Sequence, residues 1–225
     1  MRTLSFFLLV ALSTGNLLAQ QDCKLYFLDK PGSSAEYHHF DGKEKYTGKS
    51  VMTVKNKTSI PGGIQLTIES TSYDKDEEKT FTNNFEVKCI NGVFTFQMDN
   101  YFTPQGETQT GTIEITGDEL DIPANPVVGQ MLKEGTVTIS MTDNPVFRMS
   151  IKVTNRKIEA IEPVTTPAGT FECVKISFDV ESKMVFTIKA KGIEWYAPNV
   201  GLIRSESYDT RGKLTGKEEL VKLVR

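Results

Sequence analysis

The side chains of this 225-residue chain that could make or break bonds are few in kind: 2 histidines, 3 cysteines and 29 carboxylates. His38 and His39 are adjacent. Neighbours on a strand point to opposite faces, so the pair would not jointly bind a metal or flank one substrate without a bulge. Asp41 is close by, yet one His with one Asp makes no zinc site. A Ser-His-Asp triad would need one of these histidines, and no G-x-S-x-G elbow accompanies them. Cys23, Cys89 and Cys173 lie far apart without C-x-x-C spacing, which removes zinc knuckles and thioredoxin-type motifs. Carboxylate pairs such as Asp99 with Glu107, or Asp118 with Glu119, have the chemistry of a glycosidase, but acids at turns are ordinarily solvated. There is no G-x-x-x-x-G-K-[ST] and no G-x-G-x-x-G, so no nucleotide cofactor is indicated, and neither is a metal. The residues point away from catalysis.

Composition narrows the class further. With 38% hydrophobic and 24% charged residues and a net charge of -3, the chain is that of a globular protein without the basic field that nucleic acid requires. Residues 1–19 run from Arg2 through Phe6-Phe7-Leu8-Leu9-Val10-Ala11-Leu12 to Leu17-Leu18-Ala19. That order predicts a cleaved secretory signal, since the apolar run falls short of the roughly 20 residues that span a bilayer. Cys23 is a poor acylation site, because Asp22 precedes it and Gln20 stands where an aliphatic residue is wanted. No later segment reaches the length of a transmembrane helix. In an oxidising compartment three cysteines suggest one disulfide and a leftover thiol. Three pairings are open. Cys23 with Cys89 is preferred because it would tie down the new N-terminal segment, with buried reduced cysteines as the alternative.

The elements that must position these residues read as strands. Ile64, Leu66 and Ile68 alternate with Gln65, Thr67 and Glu69; Val137, Ile139 and Met141 with Thr138 and Ser140; Phe147, Met149, Ile151 and Val153 with Arg148, Ser150 and Lys152. Val174, Ile176, Phe178 and Val180 repeat the pattern, and Met184, Phe186, Ile188 and Ala190 follow after a loop at Glu181-Ser182-Lys183. A spacing of two gives each strand one apolar and one polar face. Asn91-Gly92 predicts a type I′ hairpin, because both residues tolerate positive φ. Asp41-Gly42, Pro61-Gly62-Gly63, Pro167-Ala168-Gly169 and Arg211-Gly212-Lys213 mark further turns. Asp74 to Lys79 reads as a solvated hairpin tip, Val127 to Lys133 as a short helical turn, and Asp121-Ile122-Pro123 as an extended connection. With no linker and no repeat, residues 20–225 are expected to form a single all-β domain with little helix: a strongly curved antiparallel sheet or barrel.

Three segments carry a resemblance: the early Cys before an aromatic strand and a Pro-Gly turn (Cys23 to Gly32), "PAGTFECVKI" (Pro167 to Ile176) and "WYAPNVGLIRSESYDTRGKL" (Trp195 to Leu214). Together they look like the TapB-like family of exported Gram-negative envelope proteins, related to a larger domain family of unknown function. The resemblance implies a β-rich curved sheet and a periplasmic or cell-surface address, and it implies no activity. The expected function is non-enzymatic binding of a hydrophobic or lipid-like ligand in the curved sheet. Trp195 and Tyr196 are the candidate ligand contacts, one anchoring the core and the other reaching the rim. The alternatives are an assembly protein with a filled interior that contacts other envelope proteins, and a hydrolase acting on an envelope polymer.

Overall fold

The computed structural model describes residues 23–98, 113–141 and 144–225, and contains no α-helix among them. The predicted leader therefore lies outside the described residues, as do Asp99 and Glu107. Thirteen antiparallel strands form one sheet that curls into a nearly closed barrel. In chain order they are β1 (Ser34–Asp41), β2 (Tyr46–Ile60), β3 (Gly63–Asp74), β4 (Lys79–Ile90), β5 (Val93–Gln97), β6 (Ile113–Gly117), β7 (Glu119–Pro123), β8 (Gly135–Met141), β9 (Asn144–Thr166), β10 (Gly169–Lys183), β11 (Thr187–Ala197), β12 (Gly201–Asp209) and β13 (Leu214–Val224). Across the sheet the order is β6-β8-β9-β10-β11-β12-β13-β1-β2-β3-β4-β5-β7. The expected all-β, barrel-like fold is what the chain adopts.

The curvature brings the apolar face inward. Ile68, Leu66, Val87, Cys89, Phe94 and Ile122, from four strands, are all essentially sealed from solvent. Asn91 and Gly92 take φ of 51° and 77°, the left-handed pair that matches a two-residue turn to the twist of its strands. At one end of the barrel three hairpins share a single device. The Asp41 carboxylate accepts hydrogen bonds from the N–H of Lys43 (2.8 Å) and Lys45 (3.0 Å). Asp74 does the same for Asp76 and Glu78, both at 2.9 Å, and Asp209 for Arg211 (2.8 Å) and Lys213 (3.0 Å). The acidic stretch at Asp74 is thus a hairpin tip whose first carboxylate is used by its own backbone.

Closure depends on one segment. β6 pairs with β8, and β7 pairs with β5, yet only Asp118 separates them in sequence. The two ends of the sheet are therefore halves of one extended stretch that passes across the gap. Asp118 fastens it: its N–H donates to the Thr136 carbonyl (3.0 Å), its carbonyl accepts from Met98 N–H (3.1 Å), and its carboxylate accepts from Thr136 N–H (2.9 Å). Asp121-Ile122-Pro123, expected as a connection, is a paired strand because Val93 to Gln97 lies alongside it. Between Val127 and Lys133 there is no helix. A turn at Val128-Gly129 leads to a single bridge from Met131 to Lys157, and Leu132 N–H donates to the Arg156 carbonyl (2.8 Å). The β9 strand supplies partners that a local helix would forgo.

Two boundaries differ from the sequence reading. The β10–β11 turn falls at Met184-Val185-Phe186, because Glu181, Ser182 and Lys183 remain paired with Lys189, Ile188 and Thr187. The second concerns phase in β9. Val153 points inward, Asn155 adopts φ 52° as a bulge, and the inward positions resume at Arg156 and Ile158. One extra residue in one strand shifts its alternation by one. The consequence is that a guanidinium enters the barrel.

The N-terminal segment covers the opposite end. Leu25, Tyr26 and Leu28 are buried, the Leu25 carbonyl accepts from Asn199 N–H (2.7 Å), and Cys23 is joined to Cys89 by a disulfide. That bond also leaves the Cys23 sulfur unavailable for acylation. Cys173 is the free cysteine among the described residues, and burial pushes its thiol up to about 12, far from the thiolate that a nucleophile needs.

Candidate functional site

The lumen is partly hollow. One cavity of about 300 Å³ is lined by Phe96, Met98, Leu120, Ile151, Val153, Arg156, Phe178, Val180 and Glu194. A second, of about 240 Å³, is walled chiefly by Phe27, Met52, Phe85, Val87, Phe94 and Leu202, and reaches Glu194, Ser205 and Glu218. Phe96 and Glu194 belong to both. Local chain geometry makes the room. Phe178 pairs with Gly192, and a Cβ at that glycine would stand 2.2 Å from the far end of the ring, so the absent side chain leaves space that the phenyl occupies.

A polar row crosses these apolar walls. Glu194 pairs with Ser205, Ser205 with Glu218, and Glu218 with His39, which places four polar side chains on the inner face of adjacent strands. Tyr196, two residues along β11, donates its hydroxyl to Glu194 Oε2 (3.0 Å). His39 Nε2 is 3.2 Å from Ser50 Oγ, whereas His38 turns to the outer face, with Nε2 3.2 Å from Glu36 Oε1. The two histidines are on opposite faces, as alternation predicts. Tyr26, 1% exposed, lines the second cavity, and its buried hydroxyl has no hydrogen-bond partner.

Burial governs the ionisation of this row. It pushes the Glu218 carboxyl up to about 7, with the nearby Glu194 charge adding to the effect. Glu194 is also raised by burial, against the Tyr196 hydrogen bond and the attraction of Arg156. His39 is lowered by burial and by His38, and Tyr26 is pushed up to about 12 by burial. A carboxyl whose folded-state pKa lies above its unfolded value stabilises the fold at low pH, and that stability is lost as pH rises through the folded value. Glu218→Gln is therefore expected to gain on the order of 2 kcal/mol relative to wild type between pH 5 and pH 8, measured by urea unfolding at each pH. His39 titrates with the opposite sign in part of that window, so the difference between the two proteins is the diagnostic quantity. Parallel pH curves would show that Glu218 is solvated.

The two aromatics of the sequence reading separate. Tyr196 lines the lumen, whereas Trp195 faces outward, covered by Lys175 with its ammonium 5.2 Å from the ring centre, and donates its indole N–H to Glu162 (2.8 Å). Both are buried, each less than 10% exposed. Asp118 and Glu119 do not act as a pair, since Asp118 is held by Thr136. Among the described residues no three His, Cys, Asp or Glu side chains are grouped closely enough to hold a metal, and no helix is long and apolar enough to cross a membrane. Glu194, Ser205, Glu218 and Arg156 escaped the sequence reading. Parity with Tyr196 was the available signal for Glu194, and parity with the buried Leu220 for Glu218.

Comparison with known proteins supplies the wider setting. A model of the DUF3108-like family matches residues 30–220. A crystal structure from Bacteroides fragilis NCTC 9343, described as a candidate exported protein with a YmcC-like fold, is 25% identical, with a TM-score of 0.78 over 90% of this chain and 100% of its own. One from Parabacteroides distasonis ATCC 8503, described as a candidate lipoprotein, is 26% identical, with a TM-score of 0.79 over 91% and 100% respectively. No curated protein matches the chain.

Proposed function

The chain belongs to the DUF3108-like family and is an exported envelope protein, and from that premise we propose that it holds a hydrophobic or lipid-like ligand inside its barrel without transforming it. The observation that carries this reading is the pair of apolar cavities meeting at Glu194. Phenyl, methionine and aliphatic walls take up an acyl or ring system, and the polar row supplies a few fixed hydrogen-bonding groups, the usual division of labour in a ligand pocket. The unpartnered Tyr26 hydroxyl favours a ligand that brings a polar atom with it, because a buried hydroxyl without a partner costs free energy that a ligand oxygen or nitrogen would recover.

Non-enzymatic binding fits the arrangement. Glu194 and Glu218 lie on one wall, His39 is engaged with Ser50, and Cys173 is held as a buried thiol. Within the family we propose the TapB-like group, which Pro167 to Ile176 and Trp195 to Leu214 resemble. The test is native mass spectrometry of the mature protein, with extraction of copurifying lipid. A bound amphiphile is expected, displaced by a hydrophobic dye, and Val87→Trp, which fills the second cavity, is expected to weaken dye binding roughly tenfold. Protein that carries no lipid and binds no dye in its native state would overturn the proposal.

A further inference from the structure

The rim that carries the three aspartate-held turns also carries a fourth of opposite character. At the β10–β11 hairpin Met184, Val185, Phe186 and Ile188 are 54%, 77%, 81% and 67% exposed. Turns are normally built of Gly, Asn, Asp and Ser, and the neighbouring turns at Asp41, Asp74 and Asp209 follow that habit. Here three consecutive apolar residues occupy the bend and a fourth follows on β11. The hairpin also outreaches β12: pairing between β11 and β12 stops at Ala190 with Asp209, so Thr187 to Lys189 stand beyond that strand.

Charge surrounds the apolar point. Lys183, Lys189 and Lys191 lie on the hairpin itself, and Arg148 and Lys152 are exposed on the adjacent β9. The acids facing them are Glu181, paired with Lys189 at 3.3 Å, Asp179, which accepts from Asn155 at 2.8 Å, and Asp209, opposite Ala190 on β12 and paired with Arg211 at 3.1 Å. Cations outnumber acids around an exposed apolar tip, alongside which β9 continues from Ser150 back to Asn144. We propose that this hairpin docks the protein onto a bilayer surface bearing anionic lipid, with Val185 and Phe186 entering the headgroup and acyl boundary and the lysines meeting lipid phosphates.

A membrane fits the feature better than a protein partner does. A stable protein interface covers about 800 Å² on each side, and a three-residue bend offers no flat area of that size. A fluid bilayer accepts a narrow apolar projection without a matching groove, and its anionic surface is complementary to the lysines.

The experiment uses the mature protein with vesicles of phosphatidylcholine alone or with about 30% phosphatidylglycerol, read by flotation. Binding is expected to the anionic vesicles and to fall steeply in about 0.5 M salt. Val185→Ser with Phe186→Ser is expected to reduce binding roughly tenfold or more with an unchanged melting temperature, because neither side chain is part of the core. Lys183→Glu with Lys191→Glu is expected to abolish the preference for anionic lipid. In a Trp195→Phe background, Phe186→Trp is expected to shift its emission to the blue when anionic vesicles are added. Wild-type protein that stays with the soluble fraction, Ser variants that bind as well as wild type, or emission that does not shift would each overturn the proposal. Lipid-independent dimerisation lost in the Ser variants would do so as well, by assigning the tip to a second copy. None of these readouts depends on an internal ligand, so the cavity proposal stands or falls separately.

Discussion

Arg156→Ala is expected to destabilise the barrel by about 3–5 kcal/mol, the range for removing one partner of a buried ion pair. The guanidinium side chain is 3% exposed and joins three parts of the closure. Nη1 donates to Asp121 Oδ1 (3.3 Å) and to the Lys133 carbonyl (2.8 Å), and Nη2 donates to the Asp121 carbonyl (3.0 Å). Alanine would strand two carbonyls and a carboxylate at the seam where β7 meets the approach to β8. Because Arg156 also lines the first cavity, water entering the vacated space would satisfy some of these groups, which favours the lower end of the range. Urea unfolding followed by circular dichroism measures the change. Arg156→Lys should recover little, since a single ammonium cannot reproduce a forked donor spread over three acceptors. An alanine variant within about 1 kcal/mol of wild type would show that the seam does not depend on this side chain.

Loss of the Cys23–Cys89 disulfide is the other large effect. The crosslink closes a loop with a sequence separation of 66, for which chain entropy alone gives about 4 kcal/mol. It fastens the segment whose Leu25, Tyr26 and Leu28 seal one end of the barrel, so its removal should expose the Tyr26 side of the second cavity as well as lower stability. The Cys23→Ser, Cys89→Ser double variant isolates the crosslink without leaving a reactive thiol behind. A melting temperature unchanged by the double substitution would mean that the buried side chains of the segment hold it without help.

The Arg156 seam and the Cys23–Cys89 disulfide sit in parts of the fold that differ in how far the sequence discloses them. Alternation in Ile64 to Ile68 and Val174 to Val180 gives the inward face directly, and Asn91-Gly92 gives a turn down to its dihedral signs, because both signals are local. Arg156 is hidden for the opposite reason. Asn155-Arg156-Lys157 reads as a polar break after Val153, and only the pairing of β9 with β10 reveals a bulge in place of a strand end. The β10–β11 turn is misplaced in the sequence reading because Glu181 to Lys183 has loop-like composition, whereas Met184 to Phe186 has that of a strand. Composition and position disagree there because the tip is exposed. The row of Glu194, Ser205, Glu218 and His39 is beyond local reasoning altogether, since it is assembled by register across four strands. Parity could show which way each acid points, but not that they stand in line.

The crossing of Ile113 to Pro123 from one end of the sheet to the other bears on how copies of this protein behave in a crowd. An open sheet of thirteen strands would present two long ladders of unpaired N–H and C=O groups, each a template on which another chain can add itself and begin a polymer. Here the terminal strands are five residues each, and the β7 side is occupied by bonds from Lys133 and Arg156 to Asp121. The molecule can therefore reach high local concentration while offering little template for fibrillar growth.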